Sequence, residues 1–294
     1  MQINKQGSFY IRSGWPTKII DAVDNNALVF SPNSELEAVD NIGVGRVMIK
    51  AMRYWATTMG ITSEIKSQQG VTHELTPLGL LIKQFDPYCQ TPGTLWALHR
   101  NLVNDVDNAT AWYWAFNEMG SKAFTKDSFV SDFNSYLQKN GGKYAKTAVE
   151  KEFDCFKNTY VSDKVFDISK IIDEDTIPFF APLKLIQYEG NGHFIMRRSP
   201  AKEFPPEIVL FCIVSDNQEH LQESQQISVD KLLEATGQIG KYMNLSYASL
   251  LEVLQQLENM SKLTLVNNFG NRYIQLKNVP AMDVISDYYQ KLAR

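Results

Sequence analysis

Groups of helix-forming segments alternate with short hairpin signals three times along this sequence. The hairpin signals lie at 61–75, 183–198 and 262–277, and each has short alternating strands around a turn that contains glycine or asparagine. Such segments are typical of β-hairpins. Helices followed by a two-stranded wing form a winged helix-turn-helix unit. The sequence therefore predicts a mainly α-helical protein with small β-hairpins (α+β), in which tandem winged helix-turn-helix-like units are joined by a helical support.

Glycine and proline pairs divide the sequence into three parts, with the strongest breaks at Gly141-Gly142, the IPFFAP stretch and Pro205-Pro206. Residues 94–119 form the predicted helical support, whose tryptophans we interpret as core, with a base-stacking platform as the alternative. The predicted domains are an N-terminal winged-helix unit with this support (1–122), a second winged-helix-like unit (123–200) and a C-terminal winged-helix-like unit (201–294).

Composition indicates a soluble globular protein, because 44% of the 294 residues are hydrophobic and 21% are charged. No apolar run approaches the roughly 20 residues that span a bilayer, and the N-terminus has no apolar signal core. We therefore expect a cytoplasmic protein without a membrane partner. The net charge of −4 does not indicate nucleic-acid binding, so such a function must depend on local basic patches.

No pattern in the sequence predicts a cofactor or a structural metal. The three cysteines (Cys89, Cys155 and Cys212) lie far apart, and the four histidines are equally scattered, whereas a zinc site needs close pairs of ligands. We expect reduced, mostly buried thiols. Neither a GxSxG elbow nor an HExxH helix is present.

The segment GVGRVMIKAMRYWATTMG (43–60) has two glycines in the positions of a nucleotide-binding loop. The third position of a dinucleotide fingerprint is Met48 rather than glycine, and Arg46-Val47 stands where a Walker loop has lysine and a hydroxyl residue. The preceding residues read as helix or turn instead of a buried strand. Both nucleotide-binding interpretations are therefore disfavoured.

The same segment predicts a two-faced helix. Arg46, Lys50, Arg53 and Thr57 share one face, and no acidic residue occurs between Asn41 and Ser63 to pair with these cations. Lysine and arginine in such a row suit DNA phosphates. We predict DNA contact here, and the alternative is an ordinary solvated face. The opposite, apolar face is predicted to contain Val44, Val47, Met48, Ala51, Met52, Trp55 and Met59. In the wing that follows, the predicted DNA contacts are Lys66, Gln68 and Gln69.

The other two predicted units differ in charge. Lys139, Lys143 and Lys146 lie in a second acid-free stretch, so we predict phosphate contacts for them. The last helix before the third hairpin carries Glu252 and Glu258 and no lysine or arginine. Phosphate would be repelled there, so we expect a homodimer or partner-docking face.

Three acidic groups are candidates for catalysis, each with a simpler interpretation. Glu150 and Asp154, with Lys157, are interpreted as a solvated helix face, Asp173-Glu174-Asp175 as an exposed loop, and Asp86 as a helix cap or turn. Hydrolysis of a phosphodiester commonly uses carboxylates that hold a divalent metal. No residue is assigned a catalytic role from these patterns.

Six segments together resemble the bacterial domain-of-unknown-function family 4007: SFYIRSGWPTKII (8–20), IGVGRVMIKAMRYW (42–55), ELTPLGLLIKQFDPY (74–88), TLWALHRNL (94–102), WYWAFNE (112–118) and VEKEFDCFKNTYV (149–161). Their order and spacing match over nearly the whole chain. None is a catalytic signature.

The resemblance implies a place in DNA phosphorothioation and phage-defence systems, beside which members of that family are typically encoded. Those neighbourhoods include a cysteine desulfurase and a sulfurtransferase, and a similar protein in single-stranded phosphorothioation systems is regarded as a DNA-nicking component. Our leading hypothesis is a DNA-binding component of such a system, which contacts duplex DNA through the basic helix and wing. The alternatives are a DNA-nicking endonuclease that requires a divalent metal, and a protein-interaction scaffold with a winged-helix shape. The expected partners are DNA and other phosphorothioation or defence proteins.

Overall fold

A computed structural model describes residues 1–67, 70–161, 177–268, 270–277 and 279–293. It has α-helices and small antiparallel sheets, which confirms the predicted mainly helical α+β class. The predicted wing residues Gln68 and Gln69, and the acidic run 173–175, lie outside the described residues. No helix in the described part of the chain combines the length and the apolar character needed to cross a bilayer.

The chain forms two compact units, 1–115 with 119–196, and 116–118 with 197–294. The division of residues 1–200 into two domains remains a prediction. The elements up to residue 196 are α1 (Trp15–Asn25), α2 (Glu35–Ile42), α3 (Arg46–Thr58), β1 (Thr62–Ser67), β2 (Gly70–Leu75), α4 (Pro77–Phe85), α5 (Pro92–Asn104), α6 (Thr110–Asn117), β3 (Ala123–Thr125), α7 (Lys126–Lys139), α8 (Lys146–Tyr160), β4 (Ile186–Gly190) and β5 (His193–Met196). The elements after it are α9 (Pro206–Asp216), α10 (Gln218–Glu223), β6 (Gln226–Ser228), α11 (Val229–Glu234), α12 (Ile239–Tyr242), α13 (Tyr247–Asn259), β7 (Thr264–Asn268), β8 (Asn271–Gln275) and α14 (Ala281–Leu292).

All three predicted hairpins are present, and two of them gain a third strand. β1 pairs with β2, from Thr62 opposite Leu75 to Ser67 opposite Gly70. In the other two sheets the strand orders are β3-β5-β4 and β6-β8-β7, so a short strand from before the helices pairs with the second hairpin strand. Each of these sheets therefore follows the order strand, helices, hairpin. Strands β3 and β6 were not predicted from the sequence.

Local capping signals explain where several helices begin. The Thr125 hydroxyl accepts a hydrogen bond from Ser128 N, and Ser128 Oγ accepts one from Thr125 N, which completes a capping box at the start of α7. The Thr76 hydroxyl accepts from Gly79 N at 3.0 Å, with Pro77 in the first turn of α4. Both starts therefore follow from local residue types, a threonine at the N-cap in each case.

The tryptophans of the predicted helical support are core residues. Trp96 and Trp112 are almost completely buried, and Trp114 lies edge-on to Phe129 with ring centroids 5.0 Å apart. Buried rings in such contacts stabilise a core through area and edge-to-face geometry. The core interpretation of these tryptophans is therefore confirmed. The three cysteines are also buried thiols, as expected, and burial raises the pKa of Cys89 and Cys155.

A buried carboxylate attaches the N-terminal segment to α8. Glu152 is 1% exposed, and its Oε2 accepts hydrogen bonds from Asn4 N at 2.8 Å and Gln6 Nε2 at 2.9 Å. The Asn4 side chain donates in turn to Ala148 O at 2.8 Å. Burial raises the pKa of Glu152 to about 7, against the two hydrogen bonds, which lower it. Near neutral pH this carboxyl is therefore close to its titration midpoint in the folded state.

We expect Glu152→Gln to remove one component of the pH dependence of stability. The folded-state pKa of Glu152 lies above its unfolded value, so its contribution is fully present at low pH and is lost as pH rises through about 7. The free energy of unfolding of the wild type, minus that of the variant, should be larger at about pH 5 than at about pH 8, by on the order of 2 kcal/mol. Denaturant unfolding at both pH values measures this. Glu150→Gln on the same helix should keep the wild-type pH dependence, and a difference between wild type and E152Q that does not change with pH would contradict the expectation.

Candidate nucleic-acid interface

Helix α3 is amphipathic, as predicted: one face is buried, and the opposite face is exposed or half-buried. Gly43, with φ 73°, ends α2 in the left-handed conformation and lets the chain turn into α3. Met52 and Trp55 are fully buried, whereas Arg46 and Lys50 are exposed on the opposite face. Arg53 and Thr57, on the same outer face, are half-buried. We call Arg46, Lys50 and Arg53 the basic row.

The apolar face of α3 differs from the prediction at one end. Val47, predicted to be buried, is 55% exposed. It lies on the same side of the helix as Tyr54 and Thr58, which are buried, so its exposure is a property of the first turn rather than of the face. Ile49 and Tyr54 are buried core residues that the sequence analysis did not select.

The basic row has acidic partners, so the expectation that its cations are unpaired is wrong. Glu35 Oε1 of α2 lies 3.5 Å from Arg46 Nε and 3.5 Å from Lys50 Nζ. Arg53 donates from Nε to Glu64 Oε1 at 2.7 Å and from Nη2 to Glu64 Oε2 at 3.0 Å. Both acids belong to neighbouring elements and lie outside the acid-free segment of the sequence. Tertiary packing, and not the helix sequence, brings them to the row.

The pair of Arg53 and Glu64 is the strongest of these contacts. Its two parallel hydrogen bonds lower the pKa of Glu64, a change that burial opposes, and they raise the pKa of Arg53. The distances from Glu35 to Arg46 and to Lys50 are longer than those between Arg53 and Glu64, and the side chains of Arg46 and Lys50 are 58% and 68% exposed. Exposed pairs of that kind contribute little to the stability of the fold.

His73 lies behind Glu64 on the neighbouring strand. The two residues are paired across β1 and β2, with His73 Nε2 3.5 Å from Glu64 Oε1, and His73 Nδ1 lies 3.2 Å from Thr62 Oγ1. Burial lowers the pKa of His73 to about 4, which outweighs the opposing attraction of Glu64. The imidazole is therefore neutral at physiological pH, so Arg53 is the cation that pairs with Glu64.

An open cleft of about 760 Å³ lies beside the basic row. Its lining combines residues of α3, β1, the N-terminal segment and the loop between α5 and α6; the polar members are Lys5, Lys50, Arg53, Thr57, Thr58, Thr62, Ser63, Glu64, Asp105 and Asn108. Of the predicted DNA contacts, the cleft brings together Lys50, Arg53 and Thr57. Arg46 is linked to them through Glu35.

Lys5 and Asn108 are cleft residues that the sequence analysis missed. Lys5 Nζ donates to Asn108 Oδ1 at 2.6 Å, and Asn108 Nδ2 donates to Asp105 Oδ2 at 2.8 Å. Tyr54, from the buried side of α3, donates to the carbonyl oxygen of Asn108 at 2.9 Å. Lys5 stands alone in its sequence segment, and more than 100 residues separate it from Asn108, so no local pattern could have joined them.

The remaining predicted DNA contacts lie elsewhere in the first unit. Lys66 is exposed near the end of β1. Lys139 ends α7, Lys143 lies in the loop that follows, and Lys146 begins α8; all three are exposed, and we call them the second patch. Lys146 Nζ lies 3.7 Å from Glu150 Oε1, one helical turn away. None of these lysines lines the cleft.

The acidic candidates have mainly structural contacts. Asp86 is buried and accepts hydrogen bonds from Gln90 N, Thr91 N and Thr91 Oγ1 at 2.8 to 3.0 Å, which confirms its interpretation as a turn and cap residue. Asp154 pairs with Lys126 at 2.8 Å. Within the described ranges, no three His, Cys, Asp or Glu residues are grouped in a way that could hold a metal ion.

One of the two acids of α13 is used within its own unit. Glu258 Oε1 accepts a hydrogen bond from Leu265 N at 2.7 Å, which joins α13 to the hairpin that follows it. Glu252 is exposed. The predicted acidic face is therefore narrower than the sequence indicates, and the homodimer through this unit remains a prediction.

The chain resembles proteins of one family and one group of solved structures. The family model described as "Protein of unknown function (DUF4007)" matches residues 4–289. A crystal structure of SspB has a TM-score of 0.82 and 21% identity, over 99% of this chain and 88% of that chain. A magnesium-ion-bound crystal structure of SspB has a TM-score of 0.83 and 20% identity, with the same coverage. A comparison with curated proteins gives no match. The SspB structures share the fold, and, because the family model covers nearly the whole chain, this protein belongs to the DUF4007 family.

Proposed function

We propose that this protein is a DNA-binding component of a bacterial DNA phosphorothioation and phage-defence system, and that it acts in the cytoplasm. The observation that carries the proposal is the basic row: three cations lie on the outer side of one helix, and two of them line an open cleft. Lysine and arginine side chains bind the phosphates of duplex DNA without reading sequence. The system in which it acts is inferred from the family resemblance.

We further propose that the units are winged-helix-like and that α3 is the helix that contacts DNA. The strand, helices and hairpin order of the β3-β5-β4 and β6-β8-β7 sheets supports this arrangement, as does the position of the β1–β2 hairpin directly after α3. In this arrangement the β1–β2 wing brings Lys66 to the DNA backbone. Gln68 and Gln69 remain predicted contacts of the same wing.

Replacement of the basic row by alanine should weaken duplex binding. With Arg46, Lys50 and Arg53 all changed, we expect affinity at low salt to fall roughly tenfold or more, and the slope of log affinity against log salt to flatten by about one for each lost phosphate contact. Fluorescence anisotropy with a labelled duplex of about 30 base pairs, at roughly 50 to 200 mM salt, measures both.

Lys83→Ala is the matched control for this experiment. Lys83 lies on α4, is 42% exposed and pairs with Asp24, so it is a surface cation with an acidic partner but is not part of the row. It should leave affinity and slope unchanged. Thermal unfolding of each variant shows that it is folded. Equal affinity and slope for the wild type and the triple variant would refute the proposed role of the basic row.

The second patch should contribute to duplex binding independently of the basic row. Lys139, Lys143 and Lys146 are exposed, but Lys146 already has Glu150 within 3.7 Å. Changing all three to alanine should flatten the salt slope by about one to two. A slope equal to that of the wild type would remove the patch from the interface and leave the basic row as the site.

A metal-dependent DNA nickase is the second candidate function, favoured by the family resemblance and by the likeness to a magnesium-bound SspB structure. Among the described residues, no three carboxylate, histidine or cysteine side chains are grouped in a way that could hold a metal ion. The carboxylates of the cleft, Glu64 and Asp105, are engaged by Arg53 and Asn108. No residue of the cleft is assigned a catalytic role.

Purified protein with supercoiled plasmid separates binding from nicking. The leading proposal expects a gel shift without open-circular product, in Mg²⁺ or Mn²⁺ as well as in EDTA. Open-circular product that forms with the metal, disappears with EDTA and increases with protein concentration would establish the nickase. The absence of any shift at low salt, together with stable complexes with proteins encoded nearby, would instead favour the interaction scaffold.

A further inference from the structure

We propose that Glu35 and Glu64 compete with DNA phosphate for the basic row, so that binding is an exchange of carboxylates for phosphates and the two acids hold the affinity down. This inference rests on the proposed DNA-binding function and concerns the regulation of the same surface. The two acids are contributed by α2 and β1, the elements on either side of α3 in the chain.

The three cations of the basic row differ in how closely their acidic partners bind them. Both oxygens of Glu64 are bound by Arg53, at 2.7 and 3.0 Å, so the guanidinium directs two of its donors at protein instead of at solvent. Glu35 Oε1 lies at 3.5 Å from both Arg46 and Lys50 and is shared between them. The side chains of Glu35 and Glu64 are only 20% and 28% exposed, so the acids are held at the protein surface and not extended into water.

The charge balance of the site explains why exchange limits affinity. Three cations of the row and two carboxylates leave one net positive charge. A phosphate that binds Arg53 takes the place of Glu64 and brings a negative charge close to the released carboxylate. The released carboxylate also attracts a cation from solution, which offsets part of the counterion release that drives protein–DNA association. Both affinity and salt slope are therefore lower than three free cations would give.

The basic row is short, so displacing one carboxylate affects a large share of its possible contacts with DNA phosphates. Arg46 and Arg53 are seven residues apart, so the row extends about 10 Å along α3. Successive phosphates of one DNA strand rise by about 3.4 Å, so the row spans only a few of them. With so few contacts available, each carboxylate that must be displaced removes a large part of the total electrostatic gain.

Glutamine substitutions test the competition without changing side-chain shape. Glu35→Gln and Glu64→Gln keep an oxygen that accepts a hydrogen bond but remove the charge. Each should bind a duplex of about 30 base pairs roughly three- to tenfold more tightly than wild type at low salt, with a salt slope steeper by up to about one. Anisotropy titrations across the salt series measure both quantities. A purely structural role would lower the melting temperature of the variants without raising affinity or steepening the slope.

Glu37→Gln is the matched control. Glu37 lies on α2, two residues from Glu35, and is exposed, and the ion pairs of the basic row are made with Glu35 and Glu64 instead. This variant removes the same charge close to the basic row, so it measures the general effect of losing one negative charge nearby. The affinity of Glu37→Gln for the duplex should rise less than twofold, and its salt slope should equal that of the wild type.

The outcomes separate this inference from the proposed function. If Arg53→Ala weakens duplex binding while E35Q and E64Q behave like E37Q, the competition is overturned and the DNA-binding function stands. Binding by E64Q or E35Q where the wild type binds too weakly to measure would support both. If the wild type and every variant fail to bind duplex DNA at low salt, both are overturned.

Discussion

The edge-to-face packing of Trp55 against Trp112 fixes the orientation of α3, and the candidate interface depends on it. The ring centroids are 5.3 Å apart, and Trp55 Nε1 donates to the carbonyl oxygen of Phe9 at 2.9 Å. Trp112 in turn contacts Phe156 of α8. The buried side of α3 is thus held by a helix, a second helix beyond it and the N-terminal segment. A rotation of α3 about its axis would break the indole hydrogen bond and expose the largest side chain of the helix, at a cost of several kcal/mol. The position of the cations on the outer side follows from this burial.

A fixed helix orientation also determines which acids the cations meet. With its buried side set, α3 directs Arg46 and Lys50 towards Glu35 of α2, and Arg53 towards Glu64 of β1. The neutral state of His73, enforced by burial, keeps the second strand of the hairpin from competing for Glu64. The charge that the surface offers to a ligand is therefore a property of four packed elements. It is much smaller than the charge of the helix sequence alone, and this difference is the physical basis of carboxylate–phosphate exchange.

The sequence predicts those parts of the fold whose causes are local. The spacing of Met52 and Trp55 gives the buried side of α3, turn residues give the hairpins, and threonines give the helix starts. Strands β3 and β6 were missed because three residues are too few to show a period, and they become strands only by pairing with a distant hairpin. The candidate site was predictable only in part for the same reason. The basic row is a pattern within one helix, whereas Glu35, Lys5 and Asn108 come close to it only through tertiary contacts. Outside the site, the burial of Glu152 was not predictable either, because charged side chains are usually exposed.

The likeness to SspB concerns the arrangement of helices and strands and not the charges at the surface. At 20% identity a TM-score of 0.83 is retained, so the two chains share their element arrangement while most individual residues differ. Buried positions tolerate exchange among apolar side chains of similar volume, so the fold persists. A surface function has no such tolerance, because it depends on the charges at a few positions. For the DNA-binding function proposed here, those positions are three cations on α3 and the two acids that face them, and the proposal makes the ratio between these charges, not the fold, set the affinity for a polyanion.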